Sequence, residues 1–337
     1  MARKNQKILI IRNDKIGDFT LILPAVVSLK ENIPNSTIVC LVSENVKELA
    51  EQCEFIDEVI VDTKNKMLYS SLKRYGFDIA ISFFSTFRIG YLLKKLDIPI
   101  RLAPKTKLAQ IFFNYKLYQQ RSSSKKPEYE YNIDLVHELF KIINLIDIKE
   151  MSLGPYLKYD HATITENRMD FIKEYNLNPD KKIIFLHPGT GGSSKGLSLN
   201  DYGNICKGLR NFDDYNFIIH CSVEEEQLAR DLKISIDKDV TIRVIEAKQS
   251  ILYMLKNISI CDMFIAGSTG PLHIAGALNK KTVGFYPSKK SSTSLRWQTI
   301  NNFENRLSFT DMKNNKNYIS IDIKKSLLQI QKLISSI

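Results

Sequence analysis

The chain has 337 residues, more than one hydrophobic core usually supports, so two α/β lobes are the natural division. Its 44% hydrophobic and 25% charged content excludes a disordered chain. Forty-eight Lys and Arg against 37 Asp and Glu leave a net charge of +11, which favours phosphates or anionic membrane surfaces without choosing between lipid and nucleic acid.

The longest apolar stretch, Thr20 to Leu29, is too short to span a bilayer and contains Pro24. The basic N-terminus lacks the apolar core and cleavage site of a signal peptide, so a cytoplasmic protein is expected. Cys40, Cys53, Cys206, Cys221 and Cys261 are odd in number and form no C-x-x-C, which fits buried free thiols better than disulfides or a zinc site.

In chain order, Lys7–Arg12 reads as a buried strand, and Leu21 to Leu29 as a helix with Pro24 in its first turn and Pro34-Asn35 at its end. Strands over Thr37–Val42, Glu58–Val61 and Asp78–Phe83, with helices between, make the first half a βαβ series on a parallel sheet. Arg101 to Tyr131 breaks the rhythm. Lys105, Lys107, Lys116, Arg121, Lys125 and Lys126 alternate there with Phe112, Phe113, Tyr115 and Tyr118, and a mobile basic loop or short helix is expected. A helix over Ile133–Ile146 leads to a linker at Met151–Pro155. Strands at Lys182–His187, Asn216–His220, Val240–Ile245, Met263–Ala266 and Thr282–Phe285 form a second doubly wound sheet. The last segment, 321–337, has the spacing of an amphipathic helix that could pack on either lobe.

Ligands of parallel α/β sheets bind beyond the carboxyl ends of the strands, and three such turns carry unusual clusters. After the first strand comes Asn13-Asp14-Lys15-Ile16-Gly17-Asp18, where Gly17 permits a tight turn and Asp18 suits an N-cap carboxylate. His187-Pro188-Gly189-Thr190-Gly191-Gly192-Ser193-Ser194-Lys195 offers glycines, hydroxyls and a lysine to a phosphate, or is merely a flexible loop. It is neither a Walker A loop nor a dinucleotide fingerprint. Gly267-Ser268-Thr269-Gly270-Pro271-Leu272-His273 opens a helix whose amides suit an anion, while His273 taken alone reads rather as a core histidine. Asp237-Lys238-Asp239 has the D-x-D form of metal-dependent transferases but lies in a polar connector and reads as a surface turn. Lys289-Lys290 and Arg296-Trp297 follow the last expected strand and either reach an acidic ligand or are solvated.

Together, Ile8–Arg12 with Ile16-Gly17-Asp18, Leu23-Pro24-Ala25 and Ile56–Val59, then His187-Pro188-Gly189 to Lys195, then Gly267 to His273 with Ala275, Ala277 and Leu278, resemble glycosyltransferase family 9, the heptosyltransferases. The resemblance spans nearly the whole chain. It implies a GT-B fold of two Rossmann-like domains facing across a cleft: an acceptor domain at 1–155, a nucleotide-sugar domain at 156–320, and a closing helix at 321–337 that packs back. It further implies that Asp18 is the general base and that Lys195 and the Thr269-Gly270 helix start face the donor diphosphate. A glutamate among Glu224, Glu225 and Glu226 would hold the ribose, with Glu226 preferred. Gly17, Thr190, Gly191, Ser193, Ser268 and His273 complete the expected substrate contacts, with Arg88 and Arg101 on the acceptor side. Two departures stand out. Ser268 replaces the aspartate usual in the family, and Gly196-Leu197 stands where an aromatic often follows the lysine.

The expected reaction is an inverting, metal-independent transfer of a heptose or related sugar, from ADP-heptose or another nucleotide-sugar, to a lipopolysaccharide or lipooligosaccharide core. No cofactor and no nucleic-acid partner are expected, and the protein would be a monomer. The Lys105–Lys126 region would rest on anionic glycolipid at the cytoplasmic face of the inner membrane. A non-catalytic binder of anionic glycolipid or nucleic acid is the alternative. A nicotinamide-dependent oxidoreductase lacks its glycine fingerprint.

Overall fold

Strand β1 (Lys7–Arg12) buries every residue after its first, the pattern of a central strand in a sheet covered on both faces. The computed structural model describes residues 5–105, 108–192, 194–236, 240, 242–245, 247–248, 250–313 and 317–336. The chain divides into two units, Met1–Leu157 and Lys158–Ile337. In the first, β1 is joined by β2 (Thr37–Val42), β3 (Glu58–Val61), β4 (Ile79–Ser82), β5 (Ile100–Pro104) and β6 (Tyr115–Leu117). The second holds β7 (Ile183–His187), β8 (Asn216–Ile219), β9 (Ile242–Val244), β10 (Met263–Gly267), β11 (Lys281–Tyr286) and β12 (Arg306–Thr310).

The sheet orders are β3-β2-β1-β4-β5-β6 and β12-β11-β10-β7-β8-β9, with every pairing parallel. The two orders are the same winding: the unit's first strand is central, the next two extend one way and the last three the other. Winding therefore reverses between β1 and β4 and again between β7 and β10. Such reversals leave a crevice at the strand ends where ligands bind.

The helices are α1 (Ile16–Thr20), α2 (Leu23–Asn32), α3 (Lys47–Glu51), α4 (Lys66–Lys73), α5 (Phe87–Lys95) and α6 (Glu128–Ile142) in the first unit. The second has α7 (His161–Glu174), α8 (Leu199–Arg210), α9 (Glu226–Ser235), α10 (Ile251–Ser259), α11 (Gly270–Ala277) and α12 (Ile323–Ser335). Pro24 lies in the first turn of α2, where its missing N–H costs nothing. Just before it, Asn132 of α6, itself buried, donates from Nδ2 to the Leu21 carbonyl at 2.9 Å and fixes the joint between α1 and α2.

The described part of Arg101–Tyr131, expected as a mobile basic loop or a short helix, holds an added strand and short helical turns. Three residues of it form β6, paired with Leu102–Pro104, and 3-10 turns at Leu108–Phe112 and Arg121–Ser123 flank that strand. Asn114 ties its start down, donating to the Pro99 carbonyl at 2.6 Å and accepting from the Arg101 N–H at 2.8 Å. Arg121 pairs with the buried Glu128 at 2.5 Å. Lys107 and Asp237-Lys238-Asp239, expected as a surface turn, lie outside the described residues. The terminal helix α12 buries Ile330, Leu333 and Ile334 in the second unit's own core, where they pack with Ile205, Leu209 and Phe285. All five cysteines are free and buried. Among the described residues no helix is long and apolar enough to cross a membrane.

Candidate active site

In the first unit the winding reversal brings β1 and β4 side by side, and the chain beyond them is organised around Arg12. This last residue of β1 is only 4% exposed, and a buried guanidinium needs anionic or carbonyl partners on every side. Its Nε lies 2.8 Å from Asp14 Oδ1, Nη1 donates to the Phe83 carbonyl beyond β4 at 3.1 Å, and Nη2 donates to Asp18 Oδ1. The Phe84 ring lies 5.9 Å from the guanidinium carbon. Lys15, not Asp18, is the N-cap of α1, and Asp18 stands in that helix's first turn with its carboxylate committed to Arg12 rather than to a backbone amide. Burial is the largest influence on Asp14 and raises its pKa, with Arg12 opposing and the Asp18 charge adding to the rise. Asp18 is thus the more exposed member of two carboxylates sharing one arginine, with Gly17 beside it in α1.

A second cluster borders the same strand ends. Asp62, just past β3 and 7% exposed, accepts from Asn13 Nδ2 at 2.5 Å and from Arg88 Nη2. Arg88 rides on the first turn of α5, which Thr86 caps by accepting the Ile89 N–H at 3.2 Å. Arg101 does not join this group. It sits at the amino end of β5, the opposite end of the sheet, and its guanidinium is spent on the Ile98 carbonyl and, at 3.0 Å, the Phe112 carbonyl. Its expected acceptor role has no geometric support, because residue 101 precedes its strand's carboxyl end by three positions.

In the second unit the reversal between β7 and β10 gathers the other two clusters. Gly191 and Gly192 have φ of +52° and +68°, a left-handed turn natural to glycine. Gly189 has a different reason: a Cβ there would lie 2.0 Å from the Glu225 carboxyl carbon. Glu225 closes the loop from beneath, accepting from the Gly191 N–H at 2.9 Å and from Ser222 Oγ at 3.0 Å, and its Oε2 is 3.8 Å from His187 Nε2. Burial would raise the Glu225 pKa, but His187 and the Gly191 and Ser222 donors outweigh it and hold the carboxyl below its ordinary value. A Cβ on Gly267 would lie 3.4 Å from the Lys195 carbonyl oxygen and 3.7 Å from Thr190 Cγ2, so the glycine loop rests directly on the end of β10. Thr190, Gly191 and Lys195 therefore share one rim with Ser268, Thr269 and the α11 start at Gly270. Ser193 lies outside the described residues.

Beneath this rim lie three buried histidines, His187, His220 and His273. His273 is 3% exposed, its pKa is pushed down to about 4 by burial, and its Nδ1 is buried without a hydrogen-bond partner. His187 Nδ1 lies 3.0 Å from the His220 carbonyl and 3.2 Å from His220 Nδ1. Burial, then the neighbouring His187, lowers the His220 pKa to about 3. The Thr269 side-chain oxygen is buried without a hydrogen-bond partner at the N-cap of α11. Glu226, the expected ribose ligand, turns outward to Arg230 at 3.1 Å on the exposed face of α9, so the inward carboxylate of the three is Glu225. Arg296 stacks on Trp297 at 5.1 Å and bonds the Ser291 carbonyl at 3.3 Å, a local use of its charge.

The family model of glycosyltransferase family 9 (heptosyltransferase) matches residues 66–320, which include both second-unit clusters. A Haemophilus influenzae protein, which its name ranks among the glycosyltransferases without giving donor or acceptor, is 36% identical over 324 residues, covering 94% of this chain and 93% of that protein. The chain belongs to glycosyltransferase family 9. A "Lipooligosaccharide heptosyltransferase 2" of Campylobacter jejuni is 24% identical over 297 residues, 85% of this chain and 83% of its own. Among solved structures, a family 9 glycosyl transferase from Veillonella parvula superposes with a TM-score of 0.79 at 16% identity, covering 99% of this chain and 98% of its own. The E. coli ADP-heptose LPS heptosyltransferase II gives 0.77 at 17% identity, covering 98% of both chains. This family 9 member thus has the GT-B class of fold and is a glycosyltransferase, which sets aside the non-catalytic binder and the oxidoreductase. Arg12 and Asp62 are the site residues that sequence reasoning missed, while Glu225 was one of three glutamates it offered, behind Glu226. The one available signal was an arginine ending an otherwise apolar strand two residues before an aspartate.

Proposed function

We propose that this glycosyltransferase moves a heptose from ADP-heptose to the core of a lipopolysaccharide or lipooligosaccharide by an inverting, metal-independent displacement. Asp18 is the general base: it removes the acceptor hydroxyl proton while the hydroxyl oxygen attacks the anomeric carbon and the nucleoside diphosphate leaves from the opposite face. The observation that carries this reading is the Asp18 carboxylate held by Arg12 at the β1–β4 reversal. An ionised carboxylate anchored through one oxygen keeps the other for a proton, and positioned general bases contribute about 10²- to 10⁴-fold.

On the second unit, charge developing on the diphosphate is met by Lys195, Thr190, Ser193, the Gly191 region and the N-terminus of α11. Ser268 in place of the family aspartate leaves this rim without one negative charge, so Glu225 below it is the carboxylate nearest the loop. Arg88 binds an anionic group of the acceptor. The glycolipid reaches the enzyme at the cytoplasmic face of the inner membrane, where a basic monomer attaches peripherally. The names of the Campylobacter and E. coli relatives support heptose as the sugar.

The test is turnover of ADP-heptose with a heptose-deficient core acceptor. Asp18→Asn should lower kcat by at least about 10²-fold while ADP binding, read by calorimetry, stays as in the wild type. Full turnover by that variant would remove Asp18 from the mechanism. Transfer from UDP- or GDP-sugars with none from ADP-heptose would replace the donor.

A further inference from the structure

Helix α5 carries two chemistries on one short element. Arg88 in its first turn reaches inward to Asp62, whereas Phe87 and Tyr91, one turn apart, are 61% and 56% exposed. The 3-10 turn Leu108–Phe112 lies against the same helix. Its Phe112 ring meets Phe87 edge-on at 4.7 Å and Tyr91 at 6.0 Å, and a Cβ on Gly90 would come 2.8 Å from Phe112 Cδ2. Leu108 and Ile111 of that turn are 85% and 66% exposed. Residues three apart in a 3-10 helix eclipse one another, so these two project from one side. Single exposed apolar side chains are ordinary on a protein surface, but four large ones arranged about one buried ring form a ridge.

Charge says what covers the ridge. From residue 84 to 127 the sequence has ten Lys and Arg and a single acid, Asp97. Lys94, Lys105 and Lys116 are all exposed. Another protein surface or a second copy of this chain, itself at net +11, would have to neutralise that field, whereas anionic lipid headgroups supply its complement. Aromatic and aliphatic side chains with a lysine rim are also the composition of segments that rest at the boundary between headgroups and acyl chains.

We propose that Phe87, Tyr91, Leu108 and Ile111 form a membrane-insertion ridge that docks the first unit on an anionic bilayer, with the lysines on the headgroups. The purpose of this docking rests on the glycolipid acceptor proposed above, since the ridge stands on the same helix as Arg88 and places that guanidinium next to the lipid surface. The docking itself needs no turnover. Its test is co-sedimentation of the full chain with phosphatidylcholine vesicles, with and without phosphatidylglycerol. The wild type should bind the mixed vesicles and bind pure phosphatidylcholine far less. Leu108→Ser with Ile111→Ser should weaken binding to the mixed vesicles by about tenfold or more. Phe87→Ser should do the same separately. ADP should shift the melting temperature of each variant as it does that of the wild type, which shows the fold intact. Equal vesicle binding by wild type and variants overturns the ridge. So does a variant whose only change is from dimer to monomer in solution, which would assign the surface to a second copy. Loss of sugar transfer in the wild type would sink the proposed function and leave the vesicle result standing.

Discussion

Gly189 shows how one missing side chain can set a loop. The neighbouring Gly191 and Gly192 are explained by left-handed backbone, but Gly189 is required by a carboxylate 36 positions later in the sequence. Replacing it with alanine forces Glu225 away from the Gly191 N–H, an overpacking change of about 1–3 kcal/mol. Gly189→Ala should therefore lower ADP affinity by roughly tenfold, at about 1.4 kcal/mol per decade. Adding Glu225→Ala should restore part of the loss by vacating the space; calorimetric titration of both proteins decides, and equal affinity of Gly189→Ala and wild type would refute the coupling. The phosphate-loop composition was legible in the sequence, and which of three glutamates lies beneath it was not. Three consecutive glutamates differ only in helical phase, and the 3-10 turn Val223–Glu225 sets that phase so that Glu225 faces in and Glu226 faces out. Arg101 misled for a related reason: a basic residue near a strand end can belong to either end, and only the register of β5 against β4 shows which.

Elements that combine burial with β-branched residues were readable to the residue. Lys7–Arg12 and Thr37–Val42 are strands with the expected limits, and so is the half-buried edge strand Glu58–Val61, which its Val-Ile-Val run marks. Two other edge strands were not. β6 and β12 lie at the outer margins of their sheets with mostly exposed or half-buried residues, so neither alternation nor a solid apolar run marks them. Helix α6 begins at Glu128, five residues before the expected start, since its first turn is polar and the apolar face begins only at Tyr131. That helix also bears on the site. Asn132 satisfies the Leu21 carbonyl where α1 gives way to α2, and so sets the helix that carries Asp18. Asn132→Ala should destabilise the chain by about 1–3 kcal/mol, the cost of a buried carbonyl left without its donor. Urea denaturation measures this, and an unchanged midpoint would mean that water replaces the amide.

The molecule as a whole places three of its five histidines, and all five thiols, out of reach of solvent. His220 and His273 have folded pKa values of about 3 and about 4, below the ordinary value near 6.5 of the unfolded chain. Below pH 6.5 the unfolded state takes up protons that the folded state refuses, so stability is full above that pH and falls as pH drops through it towards 4. Each histidine contributes a slope of up to about 1.4 kcal/mol per pH unit. Urea midpoints between pH 6.5 and 5, above most carboxylate titration, should decline steadily; a flat profile would mean that the folded protein admits the charge. The cysteines follow the same rule with opposite sign, for burial pushes Cys53 and Cys221 up to about 11 and Cys261 to about 12. A thiol that is both hidden and protonated does not react with an aromatic disulfide reagent. Colour would then develop only as the chain opens. Because Cys40 and Cys53 belong to one unit and Cys206, Cys221 and Cys261 to the other, release of two equivalents before three, or three before two, would tell which half of the enzyme lets go first.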